Sequence, residues 1–183
     1  MHVLRHRSLL RGFQAAALLA AALTLAACAA ARPSDQGDAI PSSTPAATSP
    51  ALAQALGHLD RLVVLRSDAF PQNHLYFSFP AKVTVSDPTQ VQAVAQALLA
   101  LPAMPSGTMY VPADLGITYR LFFATADQSL PAIVVAATGA QAVQGLGGTR
   151  WVARSPQFWV TLGSAMRLAQ PTNATFRGSR PNG

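Results

Sequence analysis

The residues of this chain that could do chemistry are few and scattered. Cys28 is the only thiol. His58 and His74 are the histidines of the folded part, with Asp60 and Asp68 nearby. Their spacing fits no metal-ligand motif, so they read as histidines of loops and strand ends. A serine nucleophile needs a base and an orienting acid within reach, on a turn that presents it. Ser106 before Gly107 and Ser164 after Gly163 come nearest, and no Gly-x-Ser-x-Gly occurs. With no glutamate in the chain, paired carboxylates for glycosidic chemistry would have to come from Asp60, Asp68, Asp87, Asp114 and Asp127. Gly145, Gly147 and Gly148 miss the dinucleotide pattern because position 150 is Arg. No catalytic set, metal site or cofactor is therefore expected. Two groups remain as candidate binding residues. One is Asp114 with Arg120; the other is Arg150, Trp151 and Arg154, whose guanidinium groups and indole would make a platform for an anion or a sugar.

Cys28 has a more specific context than any of these. Arg5, Arg7 and Arg11 give a basic opening, an uncharged run of small and apolar residues extends from Gly12, and the run closes on Leu25-Ala26-Ala27-Cys28. That order is the order of an export signal with its cut site. These four residues resemble the lipobox of bacterial lipoprotein precursors. The resemblance implies a signal peptide over 1–27, a diacylglycerol thioether on Cys28, further acylation such as palmitate, and a mature protein held to the cell membrane on its exported side. The rival reading is an uncleaved span from Phe13 to Ala31, which also leaves the domain outside.

The formal net charge of +6 includes those three signal arginines, so the chain beyond Cys28 is too weakly basic to point to nucleic acid. With Cys28 committed to lipid, no disulfide is available and packing must hold the fold. The length suits one domain.

The elements that would position any site can be read in order. Residues 28–57 carry the anchor and an Ala/Pro/Ser/Thr-rich linker, with Pro33, Pro41, Pro45 and Pro50 spaced along it. At about 3 Å per residue such a chain reaches tens of ångströms from a bilayer. A short helix is expected over Ala51–Leu59, with ordered structure beginning near His58. Leu62–Leu65, Leu75–Phe79 and Lys82–Val85 read as strands, Pro80 confining the last two to an edge or corner. Asp87-Pro88-Thr89-Gln90 starts a helix whose buried stripe is Val91, Val94, Ala95, Leu98 and Leu101. A long irregular connection, Ala103–Gly116, leads to a hairpin of Ile117–Thr125 and Ala132–Thr138. Two extended pieces come next, Gln141–Gln144 and Thr149–Ala153. Ser155-Pro156 then starts a helix burying Phe158, Trp159, Leu162, Ala165, Met166 and Ala169. The expected fold is α+β: an antiparallel sheet of four to six strands with two helices on one face, a single domain over 58–170, and a disordered tail over 171–183.

Over Met104–Leu168 the chain also resembles an uncharacterised domain of bacterial secreted proteins and lipoproteins. The matching residues are Pro112, Asp114, Gly116, Tyr119, Phe123, Gly139, Phe158 and Trp159. In that family a Cys-Pro-x-Asp-x-Gly segment and a later Gly-Cys imply a disulfide. Here Val111 and Ala140 stand at the two cysteine positions. The resemblance brings no known activity. The expected function is that of an exported, lipid-anchored envelope protein with a non-catalytic interaction domain. Its partners would be the membrane, through the lipid, and an unknown envelope protein or cell-wall polymer. The alternatives are an envelope hydrolase with an Asp-based site at Asp114 and Arg120, and a binder of an anionic wall polymer.

Overall fold

Strand β3 (Ile117–Ala124) shows most plainly how sequence becomes architecture here. Ile117, Tyr119, Leu121 and Phe123 are each 0% exposed, whereas Arg120 and Phe122 between them face solvent. A period of two means one covered face and one open face. The computed structural model, which describes residues 48–180, builds the rest of the sheet around this strand. The segment 1–47, with Cys28 and most of the linker, lies outside the described residues, as does 181–183.

Strands β1 (Arg61–Asp68), β2 (Lys82–Val85), β4 (Ile133–Ala136), β5 (Ala142–Gln144) and β6 (Arg150–Trp151) join β3 in one sheet of order β2-β1-β3-β4-β5-β6. Every pairing is antiparallel. Register carries the covered face across the sheet: Val85 lies opposite Leu62, Leu62 opposite Phe123, Leu121 opposite Ile133 and Val135 opposite Val143. Helices α2 (Pro88–Leu99) and α3 (Pro156–Ala165) pack against each other over that face, and their apolar residues merge with the sheet's into one core. The fold is α+β.

The Asp87 carboxylate accepts the amides of Thr89 and Gln90, with Pro88 at the first helical position, so α2 starts as its sequence indicates. Ser155, by contrast, makes no side-chain capping bond. Pro156 alone marks the start of α3, where its missing N–H costs nothing. Ala169 falls beyond the helix and is exposed rather than part of its stripe.

Three expectations need correction. Ordered structure begins well before His58: α1 (Thr48–Ala55) places Leu52 at 0% exposure and Ala55 in the core. Leu75–Phe79 is not a strand, for a short 3-10 turn at Pro71–Asn73 precedes it and only Tyr76 pairs, with Ser179. That partner lies in the third correction. Residues 171–180 do not trail away: α4 (Asn173–Arg177) opens with a capping box between Thr172 and Thr175, and Phe176 is 0% exposed. A five-residue helix is too short to show a helical repeat, so the segment is aperiodic in sequence and still folded.

Phe176 closes a group of rings. Its centroid lies 4.9 Å from that of Trp159, 5.4 Å from Tyr119 and 5.6 Å from Phe79. The Tyr119 hydroxyl donates to the Phe176 carbonyl at 2.8 Å. Arg66 caps the group, its guanidinium 3.7 Å from the Phe77 centroid and bonded to the Phe79 carbonyl at 3.2 Å. Burial pushes the Tyr119 pKa well above its ordinary value, the Arg66 charge only partly opposing it, so Tyr119 stays a donor. Phe176→Ala is expected to cost about 3–5 kcal/mol of stability in urea unfolding, and ending the chain after Gln170 at least as much. A change under about 1 kcal/mol would return residues 171–180 to the role of a loose tail.

Candidate functional site

The connection from α2 to β3, residues 102–116, is fastened at both ends, and the fastening gathers most of the candidate residues. At its start, Pro102 accepts the Trp151 amide at 2.9 Å and Met104 donates to the Thr149 carbonyl at 3.0 Å, so the connection covers the edge of β6. At its end, Asp114 Oδ1 accepts the Gly116 amide at 2.8 Å and the Thr138 hydroxyl at 2.7 Å. Thr138 Oγ1 in turn accepts the amides of Leu115 at 3.1 Å and Ile117 at 3.3 Å. One donated and two accepted bonds use the hydroxyl fully.

Both glycines beside this lock hold positions that a side chain would disturb, and Gly139 does so against the lock itself. Gly116 has φ +76°, and a Cβ there would stand 2.6 Å from a Phe70 ring carbon; Gly139 has φ +64°, and its Cβ would meet Asp114 Cγ at 2.9 Å. Asp114, Gly116 and Gly139, three of the residues carrying the second resemblance, thus dock the connection on the end of β4.

Beside the lock lies a shallow groove of about 190 Å³ lined by Met109, Tyr110, Val111, Ala140, Gln141 and Trp151, among others. Val111 and Ala140 therefore face the same small space. Tyr110 is 94% exposed at its rim. Trp151 spends its Nε1–H on the Ala140 carbonyl at 2.9 Å, and the Arg154 guanidinium lies 5.2 Å from its ring centroid. Arg150 does not join them. Lying opposite Val143, it shares the covered-face register and donates to the Leu101 carbonyl at 3.3 Å. Arg120 is also elsewhere, standing on the open sheet face between Leu65 and Val134. Among the described residues no hydrogen bond joins Asp114 to Arg120, the two residues named for the alternative hydrolase site. Ser106 and Ser164 are both exposed, Ser164 on α3.

One juxtaposition had no signal in the sequence. His58, Asp127 and Ser129 line a common hollow of about 650 Å³ beside α1. Among the described residues no hydrogen bond joins any two of them, and Asp127 sits in a turn whose amides bond to Thr125 Oγ1. A nucleophile and its base need contact near 3 Å, as an order of magnitude. The hollow holds the residue types of a triad and not its geometry. No group of three or more His, Cys, Asp or Glu residues suited to a metal converges among the described residues.

No protein-family model, curated protein or solved structure matches this chain. What the geometry offers is an aromatic and cationic surface at Trp151, Arg154 and Tyr110. Enclosing a small molecule takes roughly 300–1,000 Å³, so the groove suits a single side chain or the edge of a sugar ring.

Two measurements probe this junction. Asp114→Ala and Thr138→Val should each destabilise by about 1–3 kcal/mol, and the double variant by clearly less than their sum, since either change breaks the same lock. Additive losses would mean that the two side chains act separately. Val111→Cys with Ala140→Cys, in a chain lacking Cys28, should oxidise spontaneously and raise the melting temperature. Closing a loop of that length contributes about 3–4 kcal/mol in the chain-entropy model, and Val111, 42% exposed, gives up little packing in exchange. Two free thiols in the folded double variant would refute the pairing implied by the family resemblance.

Proposed function

We propose that this is an exported, lipid-anchored envelope protein whose domain works as a non-catalytic interaction module. The observation that carries the reading is Leu25-Ala26-Ala27-Cys28 at the close of a basic-then-apolar leader. The domain supports it from the other direction. The residue with the strongest claim to chemistry, Asp114, is bonded to its own turn and to Thr138, a structural use for a carboxylate. An Asp-based envelope hydrolase at Asp114 and Arg120 loses its support, because no hydrogen bond joins the two among the described residues and Arg120 stands on the open face of the sheet.

A second reading has one observation in its favour. Arg154 over the Trp151 ring beside exposed Tyr110 gives a charge-bearing aromatic surface of the kind that holds a sugar ring with an anionic substituent. The module's partner would then be an anionic cell-wall polymer, and retention on isolated wall would weaken with salt.

The anchor is tested by metabolic labelling with a fatty-acid analogue. Wild-type chain should take up label and fractionate with membranes; Cys28→Ala should lose the label and keep its leader. Stable anchoring needs more than one acyl chain, and Cys28 is the only cysteine to carry the first. Equal label in both proteins would overturn the proposal.

A further inference from the structure

The helices leave the other face of the sheet uncovered, and that face has a sign. Lys82, Leu65 and Arg120 lie side by side in one row across β2, β1 and β3; Thr84, Val63 and Phe122 form the next. Arg61 shares the face, two residues before Val63. Lys82, Arg61, Arg120 and Phe122 are exposed, while Val63 and Leu65 are half-buried between them. Among the described residues no aspartate occupies an open-face position of a strand. Asp68 carries the covered-face register opposite Ile117 and accepts the Phe70 amide, and Asp127 belongs to the β3–β4 turn. Three cations around a low apolar strip, with no carboxylate of the described residues among them, match a surface of phosphate headgroups over hydrocarbon, where aliphatic stems and a phenyl ring enter the interface while the charges stay at headgroup level.

We infer that this open sheet face seats the domain on an anionic phospholipid surface, with Arg61, Lys82 and Arg120 meeting headgroup phosphates and Phe122 entering the interface. The inference rests on the proposed work at a membrane and adds what the domain does once there. It lies flat on the bilayer that holds its lipid rather than standing off at the end of the linker. Each cation near an anionic surface shifts such an equilibrium about fivefold, so three together shift it on the order of a hundredfold between seated and lifted states.

The test uses the mature full-length protein, reconstituted through its own lipid into vesicles of phosphatidylcholine alone or with phosphatidylglycerol. Gln144→Cys places an environment-sensitive dye on the same open face, in register with Val134. A thioether on Cys28 leaves that cysteine as the single free thiol. Two dyes per chain would therefore signal failure of the anchor and not of the seating. The expected result is a blue shift with phosphatidylglycerol only, reversed by high salt and abolished in the triple variant Arg61→Glu, Lys82→Glu, Arg120→Glu. Unchanged melting of that variant would confirm its fold. Arg120→Gln alone, a neutral change at an exposed position, should weaken the lipid dependence severalfold. Equal emission on both vesicles, a shift that survives charge reversal, or a shift produced only by added anionic wall polymer would each overturn the inference.

Discussion

One contact between distant parts of the chain, the Tyr119 hydroxyl on the Phe176 carbonyl, organises the ring group within the core. Tyr119 sits at the middle of the central strand, and Phe176 comes from the last helix of the described residues. Between them the contact gathers Phe79 from the turn before β2 and Trp159 from α3, so four chain segments meet in one group of rings. The edge-on and tilted geometries there contribute about 0.5–1.5 kcal/mol per pair beyond burial. One cost is visible: Trp159 Nε1–H is buried without a hydrogen-bond partner among the described residues, a loss of about 1–3 kcal/mol. Several ring pairs offset it, and the indole is held where its bulk, not its N–H, is needed.

A second constraint acts where the long connection meets the hairpin. Without a disulfide, a loop of that length must be fixed by something directional, and apolar packing alone is not. The carboxylate of Asp114 supplies the direction. Charge-assisted bonds are shorter and roughly twice as strong as neutral ones. The same lock explains Gly139, whose Cβ would collide with Asp114, while Gly116, also at positive φ, makes room for the Phe70 ring. Residues that carry the family resemblance thereby acquire a structural cause. Arg154 and the face of the Trp151 ring are left near the junction, the indole N–H and the backbone amide of Trp151 being used in the docking.

How far the sequence disclosed all this depends on the range of each interaction. Asp87 and the α2 stripe were legible because capping and helical repeat act over a few residues. The β3–β4 hairpin was legible because alternation is local. Where the decisive contact is long-range, local pattern had nothing to report. Phe176 is one aromatic in a polar stretch, and its burial comes from Tyr119 far upstream. Leu52 and Ala55 sit in composition resembling linker and are buried only because the α2 region lies over them. Leu75–Phe79 has the composition of a strand, yet Phe77 and Phe79 face Arg66 and the ring group, which takes them out of any ladder. At the junction, Trp151 and Arg154 were legible as neighbours in sequence. Arg150 was misjudged because adjacent residues of a strand face opposite ways and Arg150 falls on the covered side.

The shallowness of the surfaces is itself informative once the proposed tether is taken into account. A freely diffusing binder relying on a groove of about 190 Å³, or on three cations spread over a sheet, would bind weakly. Tethering changes what weak means, because a domain held by a flexible linker experiences its surroundings at an effective concentration on the order of millimolar. Contacts too slight to recruit a protein from solution then suffice to orient one already in place. The helix-covered side of the sheet is spent on stability, with its largest residues fully buried and Tyr119 locked as a donor. Besides the hollow beside α1, the surfaces with a distinct chemistry are the open face and the rim at Trp151. The two differ in chemistry, cationic and aliphatic on one, aromatic with a single guanidinium on the other. By register Trp151 lies on that same open side, opposite Ala142, so a tethered domain would present both chemistries from one face of the sheet.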